Sequence, residues 1–386
     1  MTDKYAFMSA ELERREREGL RRRLRPVAPE SGMEVEVEGR RLVNFSSNDY
    51  LGLAGHPLVI ARAAEYLREY GAGARASRLV CGSHPGFVPV EEKLARLKGR
   101  GCALVFNSGF QANVSLLPAL TDRHSLVLMD RLAHGSLVLG AQACGCQVRR
   151  FNHNDLDHLR TLLQQHRAAH PRVIIATESV FSMDGGQSEV GALAGLAAEF
   201  EALLLVDEAH ATGVVGPGGA GLCCGYEVDL VMGTLGKACG AFGAYVACTP
   251  LMGEYLVNCC AGLVYSTALP PAVLGAVDAA LELIPQMDAQ REELHGNAEY
   301  LRRALRQQGW DTAASTTQIV PIVVGQNEAA MALTAWLEQE GVLAVAIRPP
   351  TVPAGQARLR LALSVLHTRA QLEGLVELLG RWRARN

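Results

Sequence analysis

Residues 229–244 read DLVMGTLGKACGAFGA. A short apolar run breaks at Gly233 into a turn of glycines and small apolar residues, and a single charge, Lys237, stands inside it. The same layout recurs upstream in CALVFNSGF from Cys102, SLVLMD from Ser125, RVIIATESVFSMDGG from Arg172 and ALLLVDEAH from Ala202. Each is a strand-length apolar run that ends in a polar or glycine-rich turn and leads into helical periodicity. Strand, loop and helix repeated in this way predict an α/β fold whose mostly parallel sheet is covered by helices on both faces. Ligand sites in such sheets gather at the carboxyl ends of the strands. Those ends carry Ser108 and Gly109, Asp130 and His134, Glu178 and Ser182, Asp207 and His210, and Thr234 and Lys237.

Working outward, the texture changes after about Pro285. A long charged helix, DAQREELHGNAEYLRRALRQQG, precedes strand-like QIVPIVVG, a helix from Asn327, strand-like RLRLAL and a closing helix. The expected organisation is an N-terminal helical and extended segment over 1–45, a large domain over 46–285 and a smaller α+β domain over 286–386. With 386 residues, nearly half of them apolar, the chain is long enough for a sizeable core. A net charge of −3 gives no reason to expect nucleic acid as a partner. No apolar run is long enough to span a bilayer, and the N-terminal stretch lacks the apolar core of a secretory signal, so a cytoplasmic enzyme is expected. Ten cysteines include the pairs Cys223/Cys224 and Cys259/Cys260 and a C-x-C at Cys144/Cys146, but no C-x-x-C, and they read as small buried hydrophobes.

The chain is rich in arginine and holds only four lysines: Lys4, Lys93, Lys98 and Lys237. Lys4 lies in a terminal tail. In VPVEEKLARLKG an apolar face of Val90, Leu94 and Leu97 leaves Lys93 and Lys98 on a solvated one. Lys237 has no such explanation. DEAH at 207–210 looks like the Walker B strand of a helicase, but the only G-K lacks the G-x-x-x-x-G-K-[ST] cradle, which excludes a nucleotide motor. Neither H-E-x-x-H nor G-x-S-x-G occurs, and no metal site is expected.

Lys237 fits a Schiff-base lysine, because an amine in an apolar pocket has its charged form disfavoured and arginine never deprotonates. Pyridoxal phosphate, the cofactor such a lysine suggests, needs an acid against its ring nitrogen and donors to its phosphate. Asp207, following the apolar strand, is a carboxylate in want of a cation. NSGF at 107–110 sits between a strand and a helix, where backbone amides and the helix dipole favour a phosphate. The turn glycines around Lys237 would let the backbone approach the cofactor.

These stretches resemble the α-oxoamine synthases of the fold-type I pyridoxal-phosphate enzymes. The resemblance is carried by NFSSNDYLGLAGHP, SRLVCG, NSGFQAN, DRLAHGSL, FNHND, ESVFSMDGG, VDEAHATGVVG, GTLGKACGAFG, YSTALPP and IRPPTVPAGQARLRLAL, in this order along the chain. It implies a seven-stranded-type sheet and a decarboxylating condensation of an amino acid with an acyl thioester. IRPPTVPAG followed by RLRLALSVLHT is most similar to the biotin-pathway branch, which implies L-alanine and a pimeloyl-CoA or pimeloyl-carrier thioester; glycine C-acetyltransferase is the alternative.

By the same resemblance, Lys237 would bind the cofactor and move the α-proton, and Asp207 would hold the ring nitrogen. His134 would stack on the ring and contact substrate, and His210 and Ser182 would contact its phenolic oxygen. Ser108, Gly109, Phe110 and Thr234 would hold the phosphate or ring, and Thr267 would reach the phosphate of a neighbouring subunit in a homodimer. Arg348 would grip the amino-acid carboxylate, with Arg21 and Thr351 as further substrate contacts. The chain departs from the family at GSHPGFVPVEE, where Phe87 stands in place of a second histidine after His84, a change expected to alter the acyl-thioester side. The rival is a descendant that keeps the cofactor for structure alone, which would have no use for this whole set of residues.

Overall fold

The computed structural model describes residues 4–385. They divide into two compact units: Asn48–Ser182 with Gly186–Glu293, and the chain up to Ser47 with Met183–Gly185 and the residues from Leu294 onward. The larger unit is built on seven strands: β1 Cys102–Phe106, β2 Leu126–Asp130, β3 Gln147–Phe151, β4 Val173–Glu178, β5 Leu203–Asp207, β6 Leu230–Thr234 and β7 Ala244–Cys248. Their order is β1-β7-β6-β5-β4-β2-β3. All pairings are parallel except the two made by β7. Ala244 lies opposite both Phe106 and Thr234, so the carboxyl ends of β1 and β6 finish at one level.

Period-two alternation decides what each face buries. Leu104, Phe106, Val127, Met129, Ile174, Ala176, Leu205, Leu230, Met232 and Val246 pack against Ala112, Leu116 and Leu117 of helix Gly109–Leu120 and Leu137 of helix Gly135–Ala143. The alternate positions, among them Leu128, Ile175, Val206, Val231 and Tyr245, are buried as well, so both faces are covered as the apolar runs predict. Ser108 caps helix Gly109–Leu120, its hydroxyl accepting from the Gln111 amide at 3.1 Å.

The buried face of helix Phe87–Lys98 differs from the one expected. Phe87, Val90, Leu94 and Lys98 are buried, while Leu97 is only half-buried. A step of four from Leu94 leads to Lys98, so the stripe runs on through the lysine. Lys93 is not solvated either: it pairs at 2.6 Å with both Asp278 Oδ1 and Glu282 Oε1 of helix Pro271–Leu283. Of the ten cysteines, all reduced, Cys223, Cys239, Cys248 and Cys260 are buried, but Cys81 and Cys259 are exposed.

In the smaller unit, Ile319–Gly325, Ala357–Ala362 and Ala346–Ile347 form a sheet in the order first, second, third. Helices Asn327–Gln339 and Arg369–Arg383 follow the sequence pattern, the latter opened by a Thr368/Gln371 capping box. Val342–Leu343 pairs in parallel with Val43–Asn44, which ties the early segment into this unit. The sequence reading keeps that segment apart and divides the chain at 285/286, whereas the compact units divide between Glu293 and Leu294.

His367 of this unit is buried and stacked on Phe45 at 4.3 Å, and its Nδ1 accepts from the Ser364 amide at 3.0 Å. Burial holds its pKa down from 6.5 to about 4. Because the folded value is the lower one, unfolding takes up a proton between these two pH values, and stability falls as pH drops through that window. At pH 5.5 the loss amounts to about 1 kcal/mol relative to pH 7. Urea midpoints at both pH values should show that extra loss in the wild type and not in His367→Asn, which keeps an acceptor but cannot titrate.

Candidate active site

The carboxyl ends of β2, β4, β5 and β6 bring Lys237, His210, Asp207, Glu178 and His134 together. Lys237, three residues past β6, places Nζ 3.0 Å from His210 Nε2. The other ring nitrogen of His210, Nδ1, is 2.7 Å from the Tyr50 hydroxyl, which donates to Asn48 Oδ1 at 3.1 Å. His210 is therefore held at both nitrogens, which fixes its ring plane beside the lysine.

Asp207, at the end of β5, is buried. Its Oδ2 accepts from Asn113 Nδ2 at 2.8 Å and its Oδ1 from the Ala209 amide at 2.8 Å. Asn113 also donates to Ser136 Oγ at 3.0 Å, and Ser136 Oγ lies 2.7 Å from His134 Nδ1. One amide thus links the buried carboxylate, through Ser136, to His134, an exposed residue. Desolvation lowers the His134 pKa, Asp207 opposes that and Lys237 adds to it.

Glu178, the last residue of β4, is buried beside this group. Burial pushes its carboxyl well above the ordinary range, and the charge of Asp207 pushes it further.

The donors at the β1 and β6 ends meet the demands of a phosphate. Thr234 Oγ1 is buried and has no hydrogen-bond partner. A Cβ at Gly109 would come 2.6 Å from Thr234 Cγ2, so only glycine lets the helix start this close. The first turn of that helix carries amides without intrahelical acceptors. An unpartnered buried hydroxyl, a helix N-terminus, a buried carboxylate and an exposed flat ring fit a phosphate-bearing pyridinium. Ser182 is buried, while Phe110 and Thr267 are exposed.

Two of the turn glycines, Gly233 and Gly240, make room for protein atoms. A Cβ at Gly233 would lie 2.3 Å from the Tyr245 hydroxyl, and one at Gly240, where φ is +61°, 2.2 Å from the Ala54 amide nitrogen. They admit neighbouring protein atoms and so fix the lysine turn against its scaffold. Among the described residues there is no group of three or more side chains suited to a metal ion, and no helix is long and apolar enough to cross a membrane.

The model of the aminotransferase class I and II family matches residues 40–379. The chain belongs to that family. A Desulfosudis oleivorans relative, provisionally named an 8-amino-7-oxononanoate synthase, is 55% identical over 98% of this chain and 99% of its own length. A Gluconacetobacter diazotrophicus relative named 8-amino-7-oxononanoate synthase is 48% identical over 97% of this chain and 96% of its own. Among solved structures, SPT holding pyridoxal phosphate superposes with a TM-score of 0.92 at 27% identity, covering 99% of this chain and 98% of that one. The protein is an α-oxoamine synthase, a pyridoxal-phosphate-dependent acyltransferase.

Arg21, Arg348 and Thr351 belong to the smaller unit. There Arg348 donates to the Gly19 carbonyl, Arg22 Nη2 reaches Thr351 Oγ1 at 3.3 Å, and Arg21 pairs with Glu16 at 3.0 Å. Arg22 is thus the arginine that meets Thr351. Phe87 is 1% exposed, its ring covered by the Arg78 guanidinium at 4.1 Å from the centroid. It fills core beside His84, whose ring stacks on Tyr70 at 4.6 Å.

Tyr50 and Asn113 are the site residues that sequence reasoning passed over, although both lie in quoted motifs, SSNDYLGL and NSGFQAN. Asn113→Leu removes the donor that links Asp207 to Ser136. Its pyridoxal phosphate dissociation constant, read by fluorescence titration of the apoenzyme, should rise about tenfold.

Proposed function

We propose that the protein condenses L-alanine with a pimeloyl thioester, borne by CoA or a carrier protein, to give 8-amino-7-oxononanoate, carbon dioxide and the free thiol. The observation that carries this reading is the near full-length identity to relatives bearing that name. The intact acid, base and ring-facing set of the larger unit supports a catalytic role over a purely structural one.

When bound, the cofactor supplies an electron sink for the electron pair left on the amino-acid α-carbon. The chain does the rest. Lys237 takes the α-proton, with its amine held in line by His210 at 3.0 Å. Asp207 would balance the cation of a bound pyridinium, and its own geometry is set by Asn113. His134 would cover the cofactor ring. Arg348 presents a planar fork suited to a carboxylate, and Thr351 with its partner Arg22 is the neighbouring candidate contact. Thr267, exposed on the larger unit, serves the phosphate of a second copy of the chain.

The decisive assay follows thiol release with paired substrates. L-alanine with pimeloyl-CoA should exceed glycine with acetyl-CoA and L-serine with palmitoyl-CoA in kcat/KM. Preference for either other pair would keep the family and overturn the substrate. Lys237→Ala should lose the visible cofactor band and roughly 10³-fold or more of the rate; a borohydride-trapped cofactor at another residue would refute the role of Lys237.

A further inference from the structure

Lys98, the last residue of helix Phe87–Lys98, is 1% exposed. Its ammonium meets three acceptors: Glu208 Oε2 at 2.8 Å, Thr212 Oγ1 at 2.9 Å and the Ala220 carbonyl at 2.6 Å. Glu208, fully buried, uses Oε1 to accept from the Cys223 amide at 2.9 Å. Thr212 Oγ1 also contacts the Glu208 carbonyl at 3.0 Å and the Tyr245 hydroxyl at 2.6 Å. Space for the cluster is reserved by glycine, since a Cβ at Gly221, where φ is +91°, would lie 2.1 Å from Glu208 Oε2.

A buried ion pair rarely adds net stability over an apolar pair of similar volume, so its location is the informative fact. Burial alone would lower the Lys98 pKa, and the Glu208 carboxylate outweighs it and raises it above the ordinary value. Glu208 directly follows Asp207, and successive side chains leaving a strand point to opposite sides. Asp207 meets Asn113 on one side, while Glu208 is anchored to Lys98 on the other. The backbone between is pinned: the Glu208 amide donates to the Met232 carbonyl at 2.7 Å, and the Ala211 and Thr212 amides both donate to the Glu208 carbonyl at 3.0 Å. His210 lies inside this turn.

We infer that the Lys98–Glu208 pair is a positioning device that fixes the Asp207–Thr212 turn from behind, and so sets where the Asp207 carboxylate and the His210 ring stand relative to the cofactor and Lys237. This rests on the pyridoxal phosphate site and not on the identity of the acyl substrate. It also accounts for a lysine in an arginine-rich chain. Three oxygens satisfy an ammonium completely, whereas a guanidinium would bring five donors in a plane to the same space.

The test uses holoenzyme of Lys98→Met and of Lys98→Met/Glu208→Gln, which also removes the uncompensated charge. Readouts are visible circular dichroism and kcat per bound cofactor, the amino-acid KM, the pyridoxal phosphate dissociation constant, and the thermal midpoint of the apo form. In both variants kcat per bound cofactor should fall on the order of tenfold or more, and visible dichroism should shrink. The KM should stay within about twofold. The double variant should recover the apo thermal midpoint lost in the single one without recovering rate or dichroism. Wild-type dichroism and kcat in the folded double variant would make the pair a fold stabiliser only and overturn the inference. Thr212→Val removes one acceptor without touching charge, so it reports even where Lys98→Met does not fold. A smaller change in the same direction is expected, and wild-type behaviour counts against the inference. Dichroism needs no acyl substrate, so failure of the substrate assignment leaves this test intact.

Discussion

Two consecutive carboxylates, Asp207 and Glu208, are buried at the end of β5, and the architecture of the larger unit answers to them. Desolvating a carboxylate costs about several kcal/mol, and adjacent charges add repulsion, so neither can stay without a dedicated partner. The strand geometry sends them apart. Glu208 receives an ammonium and an amide at the rear of the turn, and Asp207 receives an asparagine and an amide at the front. Among the described residues no cation pairs with Asp207, and a buried carboxylate so placed suits a pyridinium at this strand end. At Glu178, paired with Asp207 across β4 and β5, the same burial pushes the carboxyl well above its ordinary range.

Much of the larger sheet was legible because its central strands are bounded apolar runs followed by turn chemistry. β3 and β7 were not. β3, QVRRF, is an edge strand with arginines and mostly exposed positions, so it carries no apolar run. β7, AYVAC, follows the lysine turn without a helix between, and its antiparallel insertion between β1 and β6 breaks the strand–helix rhythm on which the prediction rests. The place of the early segment depends on a two-residue parallel pairing with Val342–Leu343, a contact nearly three hundred positions away that no local pattern encodes.

At the site, residues with unusual local chemistry were readable, while those that work through hydrogen bonds were not. Lys237 and Asp207 stand out because a charge in an apolar setting demands an explanation. Asn113 and Tyr50 are ordinary residue types in a helix and a loop, and only the 2.8 Å and 2.7 Å contacts reveal that they aim the acid and the histidine. The turn glycines show a related limit. Their small size is visible in the sequence, but the atoms that need the space, the Tyr245 hydroxyl and the Ala54 backbone, come from elsewhere in the chain.

The scarcity of lysine ties these threads together. In a chain that uses arginine for most of its positive charge, two of the three lysines inside the larger unit meet requirements that suit an amine and not a guanidinium. Lys93 is the ordinary one, sharing the carboxylates of Asp278 and Glu282 with the Arg62 guanidinium. Lys98 satisfies three converging oxygens in a space with no exposure. Lys237 must be able to lose its proton. The helical pattern misled for Lys98 because hydrophobic periodicity treats a charge as an outward marker, whereas three converging oxygens offset the desolvation of an ammonium at a core position. Lys98 is set among three oxygen acceptors, and Lys237 stands 3.0 Å from a histidine nitrogen.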